Sequence, residues 1–257
     1  MCEGYFAVAL ASANKKVRFG VLLVLAALSA ADAKGQSLGF VPASSRTRPT
    51  VSVRELRIPA KAKSNFRHGL QRLAKHDPEG SKKFFAAAIA EAPDFYEAYY
   101  HRAVAEAQLD QNEEALRSFQ AAIDLSDGHE PRAEFGYALV LSRVGNASEA
   151  ERIVRRGLAT DANIPDGHVV LGLILLKLNR VDEAEKSAQE ALLLRQPSSA
   201  KGHLILADVR GARGDFAGQA QELEAYLERN PEDRNRKTLE TARDVARRLA
   251  ATQHRGQ

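Results

Sequence analysis

From Ala62 onward, apolar and small residues recur every three or four positions, in runs broken by short polar stretches. That spacing puts them on one face of a helix, so the pattern predicts a succession of amphipathic helices and no strands. The stretch Tyr96 to His129, YEAYYHRAVAEAQLDQNEEALRSFQAAIDLSDGH, reads as one complete unit. Two helices meet at the polar break Asp110 to Asn112, with small residues at Ala103, Ala115 and Ala122 and aromatics at Tyr99 and Phe119. The same pattern returns at intervals of about 34 residues, a repeat period. The units span 62–95, 96–129, 131–164, 165–198 and 200–233, with Glu130 and Ser199 as single insertions.

Aligned this way, the eighth position holds Gly69, Ala103, Ala138, Gly172 and Ala207. The twentieth holds Ser81, Ala115, Ala150, Ala184 and Gln219, and the twenty-seventh Ala88, Ala122, Gly157, Ala191 and Tyr226. Small side chains there let helix axes approach to about 8–10 Å. The twenty-eighth is always aliphatic (Ile89, Ile123, Leu158, Leu192, Leu227) and is expected to form a continuous core. The fifteenth, just past the first helix, is His76, Asp110, Gly145, Asn179 and Gly214, residues that take left-handed backbone most readily.

Over 62–251 the chain resembles tetratricopeptide repeat proteins. The resemblance implies an all-α, right-handed helix-turn-helix repeat solenoid of five units. Repeat five departs from the pattern at Gln219 and Tyr226, and Arg236 to Ala251 has an apolar stripe of its own (Leu239, Ala242, Ala246, Leu249, Ala250). That segment resembles the helix that closes such arrays, so 234–257 is read as a basic capping helix and tail. In this family the first helix of each unit lines a concave groove that binds an extended peptide or a partner helix. Carried over, its positions give Phe66, Arg67, Tyr100, His101, Phe135, Arg143, Val169, Val170, Leu173, Lys177, Lys201, Leu204 and Ile205 as candidate groove residues. The adjacent pairs Val169-Val170 and Leu204-Ile205 are expected to leave an apolar stripe open on repeats three to five, rimmed by Arg143, Lys177 and Lys201. Some relatives grip a chaperone's terminal carboxylate with Lys, Asn and Arg. Phe66, Leu70, His101 and Gly136 stand at those places, so the clamp is missing.

No residues are left for a catalytic domain, and no nucleophile elbow, phosphate loop or dinucleotide fingerprint occurs. The expected function is non-enzymatic and cofactor-free: a protein-interaction scaffold. The alternatives are a structural subunit of a cell-envelope assembly, or an auxiliary subunit that positions a substrate for an enzyme. Seven histidines include no HExxH and no i,i+4 pair, and the single Cys2 supplies no thiolate site, so no metal is expected. His168 and His203, both at the fourth position, are read as packing residues.

Net charge is +4, too mild to call for nucleic acid. The cap carries seven Lys/Arg, the one place where membrane contact is expected if it occurs. At the N-terminus, Lys15, Lys16 and Arg18 precede the apolar Phe19 to Leu28 and the small-residue motif Ala31-Asp32-Ala33. The apolar run is shorter than the roughly 18–20 residues a membrane span needs, so 1–33 is read as a signal peptide cleaved after Ala33. Residues 34–61 are read as a flexible linker, rich in Gly, Ser and Pro at its start. The protein is therefore expected to be periplasmic or extracellular.

Overall fold

The computed structural model describes residues 57–255, which contain eleven α-helices and no strand. The expected signal peptide and the linker as far as residue 56 lie outside the described residues. The rest falls into two compact units divided at the turn between Val144 and Gly145.

In 57–144, α1 (Ala60–Ala74) packs on α2 (Pro78–Glu91), and α2 on α3 (Tyr96–Gln108). Next, α3 packs on α4 (Asn112–Leu125), and α4 on α5 (Pro131–Arg143). In 145–255, α6 (Ala147–Thr160) packs on α7 (Pro165–Lys177), and α7 on α8 (Val181–Leu193). A 3-10 turn, Pro197–Lys201, leads into α9 (Gly202–Ala212); α9 packs on α10 (Phe216–Arg229), which carries α11 (Arg236–Arg255). Packing between sequence neighbours is what lets a repeat bury a face that it could not bury alone.

The turns follow the sequence pattern residue by residue. All five fifteenth positions have positive φ: His76 58°, Asp110 57°, Gly145 107°, Asn179 61° and Gly214 76°. After two of them an aspartate starts the next helix. Asp77 Oδ1 and Asp215 Oδ1 each accept a 2.8 Å hydrogen bond from the backbone N–H three residues on, at Gly80 and Gly218. The bond to Gly80 N–H is the main reason the Asp77 carboxyl titrates below its usual range. One turn carried no such signal. Arg195 (φ 52°) ends α8, and Gln196 and Ser199 then form a reciprocal capping box around Pro197. The single insertion at Ser199 is absorbed in this 3-10 turn, and α9 starts at Gly202.

The core differs from expectation in one column. Position twenty-eight is not continuous: Ile123 and Leu227 are buried, but Ile89, Leu158 and Leu192 are only half-buried. Position twenty-four is buried in every repeat (Phe85, Phe119, Val154, Ala188 and Leu223), as are the small-residue positions eight and twenty-seven. Glycines in the facing helices make room for it. A Cβ on Gly69 would lie 2.6 Å from Phe85 Cε1, and one on Gly136 would lie 2.4 Å from Phe119 Cε1. Against the small Ala188 the fit involves the main chain itself, since a Cβ on Gly202 would meet the Ala188 carbonyl oxygen at 2.8 Å. Large-to-small pairing of this kind sets helix spacing at near-crystalline packing density.

Candidate functional site

The first helices of the repeats present very different faces in the two units. In 57–144, residues at i, i+3/i+4 and i+7 line one side of each inner helix. These are Lys63, Phe66, Arg67 and Leu70 on α1; Glu97, Tyr100, His101 and Val104 on α3; and Arg132, Phe135, Gly136 and Leu139 on α5. Of these only Phe135 is buried; Arg67 is exposed and the others are half-buried. Ring contacts join α1 to α3. Phe66 meets His101 at 5.4 Å edge-on, and Tyr100 meets His101 at 4.9 Å. Beneath them, Phe85 stacks on His101 at 5.6 Å and Phe95 lies 4.8 Å from Phe66.

Within this cluster His101 Nδ1 is shut off from solvent and has no hydrogen-bond partner among the described residues. Desolvation, and secondarily the charge of Arg132, push the imidazole pKa down to about 4. The unfolded chain therefore binds a proton, from pH near 6.5 downward, that the folded unit refuses until about pH 4. The stability His101 confers is complete above about pH 6.5 and is lost as pH falls through that window. The expected loss between pH 7 and 4.5 is roughly 1–3 kcal/mol, discounted for the half-exposed ring. Denaturant midpoints at the two pH values should show it, and His101→Phe should remove that part of the slope. An identical slope in the variant assigns the acid sensitivity elsewhere.

Arg143 is held inside the framework. Its Nη1 donates to the Ala107 carbonyl at 2.9 Å and lies 3.5 Å from Asp110, tying α5 to the turn after α3. In 145–255 the expectation of an open apolar stripe is corrected. Val169, Val170, Leu173, Leu204 and Ile205 are all buried. Val169, Val170 and Leu173 stand on α7, which packs on α6, α8, α9 and the 3-10 turn; Leu204 and Ile205 stand on α9, which packs on α7, α8 and α10. Ile205 fills the space over Gly172, where a Cβ would lie 2.9 Å away. Lys201 is buried as well, its Nζ 2.8 Å from Asp166 Oδ1. Lys177 alone of the candidates in this unit is exposed.

Several polar features gave no sequence signal. Asp208 is buried, with Oδ2 lacking a hydrogen bond among the described residues, and desolvation raises its pKa well above the carboxylate range. Glu106 is buried too, accepting a 2.6 Å hydrogen bond from Ser118 Oγ and lying 3.4 Å from Arg102 Nε. The periodic pattern marks such positions as helical and says nothing about which charges end up inside. The histidines at position four act as structural ties: His168 Nε2 bonds the Ala162 carbonyl at 2.9 Å, and His203 sits between Glu222 and Arg229. Among the described residues no group of three His, Cys, Asp or Glu could hold a metal ion, and no helix is long and apolar enough to cross a membrane. On the cap, Arg243 and Arg247 reach Glu224 of α10, and Arg236 pairs with Glu240, so part of its positive charge is already neutralised.

The chain matches the sequence profile described as "Tetratricopeptide repeat" over residues 66–130, 135–193 and 169–234, well over half its length. The chain belongs to the tetratricopeptide repeat family. Solved structures share its fold. A thermophilic tetratricopeptide protein of Thermus thermophilus aligns with TM-score 0.64 and 20% identity, over 72% of this chain and 98% of that one. PilW, a type IV pilus biogenesis factor, aligns with TM-score 0.60 and 15% identity, over 76% and 92%. The Cut9–Hcn1 assembly of the APC/C gives TM-score 0.65 and 19% identity, over 74% of this chain and 37% of that one. No curated protein sequence matches. At these identities the likeness concerns the tetratricopeptide fold, whose members generally serve as protein-interaction scaffolds.

Proposed function

We propose that this tetratricopeptide protein is an exported, non-enzymatic scaffold whose groove binds an extended peptide or helix of a partner protein. The observation that carries the reading is the face shared by α1, α3 and α5. There Phe66, Leu70, Tyr100, Val104 and Leu139 stay half-exposed, while the equivalent residues of α7 and α9 are enclosed. Partly exposed aromatic and aliphatic side chains on a rigid helical frame supply contact area at small entropic cost. Two or three such contacts outweigh exposed ion pairs worth about 0–1 kcal/mol each.

The test is site-specific photo-crosslinking in the native cell. A photoreactive residue at Tyr100 should trap one discrete partner in the envelope fraction, and one at the exposed Arg117 of the outer helix α4 should not. Intact mass of the same material should start at Lys34. Equal trapping from both positions would place the contact on the outer surface. A product retaining residues 1–33 would overturn export by cleavage.

A further inference from the structure

The arginines of this protein mostly have carboxylate partners. Arg72, Arg102, Arg117, Arg143, Arg152, Arg155, Arg180, Arg210 and Arg213 all lie within ion-pair distance of an Asp or Glu. Against that background, three cations on the α1–α3–α5 face differ. Lys63, Arg67 and the guanidinium of Arg132 have no carboxylate within ion-pair distance among the described residues. They share that face with the apolar residues: Lys63, Phe66, Arg67 and Leu70 follow one another at i, i+3, i+4 and i+7, and Arg132 and Leu139 are seven apart on α5. The face is continuous across helices. Phe66 touches His101 across α1 and α3, and the Arg132 charge is felt at His101 across α3 and α5. The aromatic centre itself brings no negative group. One carboxylate shares the face: Glu97 on α3 holds the repeat position that Lys63 and Arg132 hold on α1 and α5, while Glu130 precedes α5, where burial raises its carboxyl pKa against the pull of Arg132.

We propose that the α1–α3–α5 face selects an acidic amphipathic segment of a partner protein. Apolar side chains of that segment cover Phe66, Leu70, Tyr100 and Val104, and Asp or Glu residues between them meet Lys63, Arg67 and Arg132. The inference rests on the groove-binding reading above and adds the chemistry of the partner. Arg67 and Arg132 present planar forks that carboxylates engage in pairs, which fixes register as well as raising the association rate. Nothing in this arrangement requires a free chain end, in keeping with the missing carboxylate clamp.

The test uses the full chain and three blocked peptides, N-acetylated and C-amidated, of about the length of one repeat helix. All carry Leu and Phe at i, i+3/i+4 and i+7; the intervening positions are Glu in one, Gln in the second and Lys in the third. Fluorescence anisotropy should show the Glu peptide binding about tenfold more tightly than the Gln peptide at low salt, and the gap should narrow at about 0.5 M salt. Arg67→Gln and Arg132→Gln should each remove about threefold of that preference, leaving Gln-peptide binding unchanged. Lys83→Gln, on the exposed surface of α2, should change neither. Equal affinity for the Glu and Gln peptides would sink the charge selection and leave the groove reading standing. Tighter binding of the Lys peptide overturns it outright, as does attachment to anionic phospholipid vesicles with no peptide preference. If none of the three binds, the groove reading falls with it.

Discussion

Truncating the chain after Asp233, which removes α11, should leave a protein that melts far lower and self-associates. The cap seals a mainly apolar surface: Leu223, Tyr226 and Leu227 of α10 lie inside, and Leu239 of α11 is 0% exposed. Each large side chain returned to water forfeits roughly 1.5–3 kcal/mol, so three or four of them approach the whole stability of an ordinary domain. Polar ties are lost too, including Arg236 Nη1 to the Leu227 carbonyl at 3.3 Å and the Arg243 and Arg247 contacts with Glu224. Because repeat arrays unravel from their ends, hydrogen exchange should show α10 and α9 loosening before α7. A truncated chain that stays monomeric with an unchanged melting curve would show that α11 is an accessory helix. Leu249, expected in the sealing stripe, is exposed, so Leu249→Ala should be nearly silent.

The second large effect separates core from surface on the inner helices. Val169→Glu should unfold the 145–255 unit, because Val169 is 0% exposed and the buried Lys201, which meets the same helix at Asp166, is already paired there. An unpaired buried charge costs more than about 4 kcal/mol, beyond what lost packing adds. Leu173→Glu should act in the same direction. Arg67→Glu, on the exposed face of α1, should alter stability by no more than about 0.5 kcal/mol while reversing the charge offered to a ligand. Circular dichroism melting distinguishes the cases directly. A folded Val169→Glu protein with normal helicity would return α7 to the list of candidate binding surfaces.

The sequence carried the fold because the repeat states the same local choices five times. The left-handed fifteenth position is legible from His, Asp, Asn and Gly alone, since few other residues take that conformation without strain. The small-residue columns are equally legible in the first four repeats, where Gly, Ala and Ser fit between close axes. What periodicity does not encode is depth. Val170 and Tyr100 are both apolar residues on the inner side of a first helix, yet one is enclosed and the other half-open. The difference is tertiary: Ile205 of α9 closes over Gly172 and the 3-10 turn packs on α7, cover that the pattern along one helix does not state. The buried column at position twenty-four was hidden for a related reason. Its occupants range from Phe to Ala because facing glycines and carbonyls compensate in volume, so no single residue type marks it.

The Gly202 contact has a consequence for how such a chain can be lengthened. At the joint between repeats four and five the neighbour is the Ala188 carbonyl, a main-chain atom that no change of rotamer can move aside. The joint also carries the extra Ser199 and its 3-10 turn, whereas repeat two follows Phe95 with no added residue. A cassette copied from repeat two and spliced in after Leu194 therefore brings side chains where the joint needs a bare backbone. Modules can be added to this array where units abut without a spacer; the last one is a fitted part.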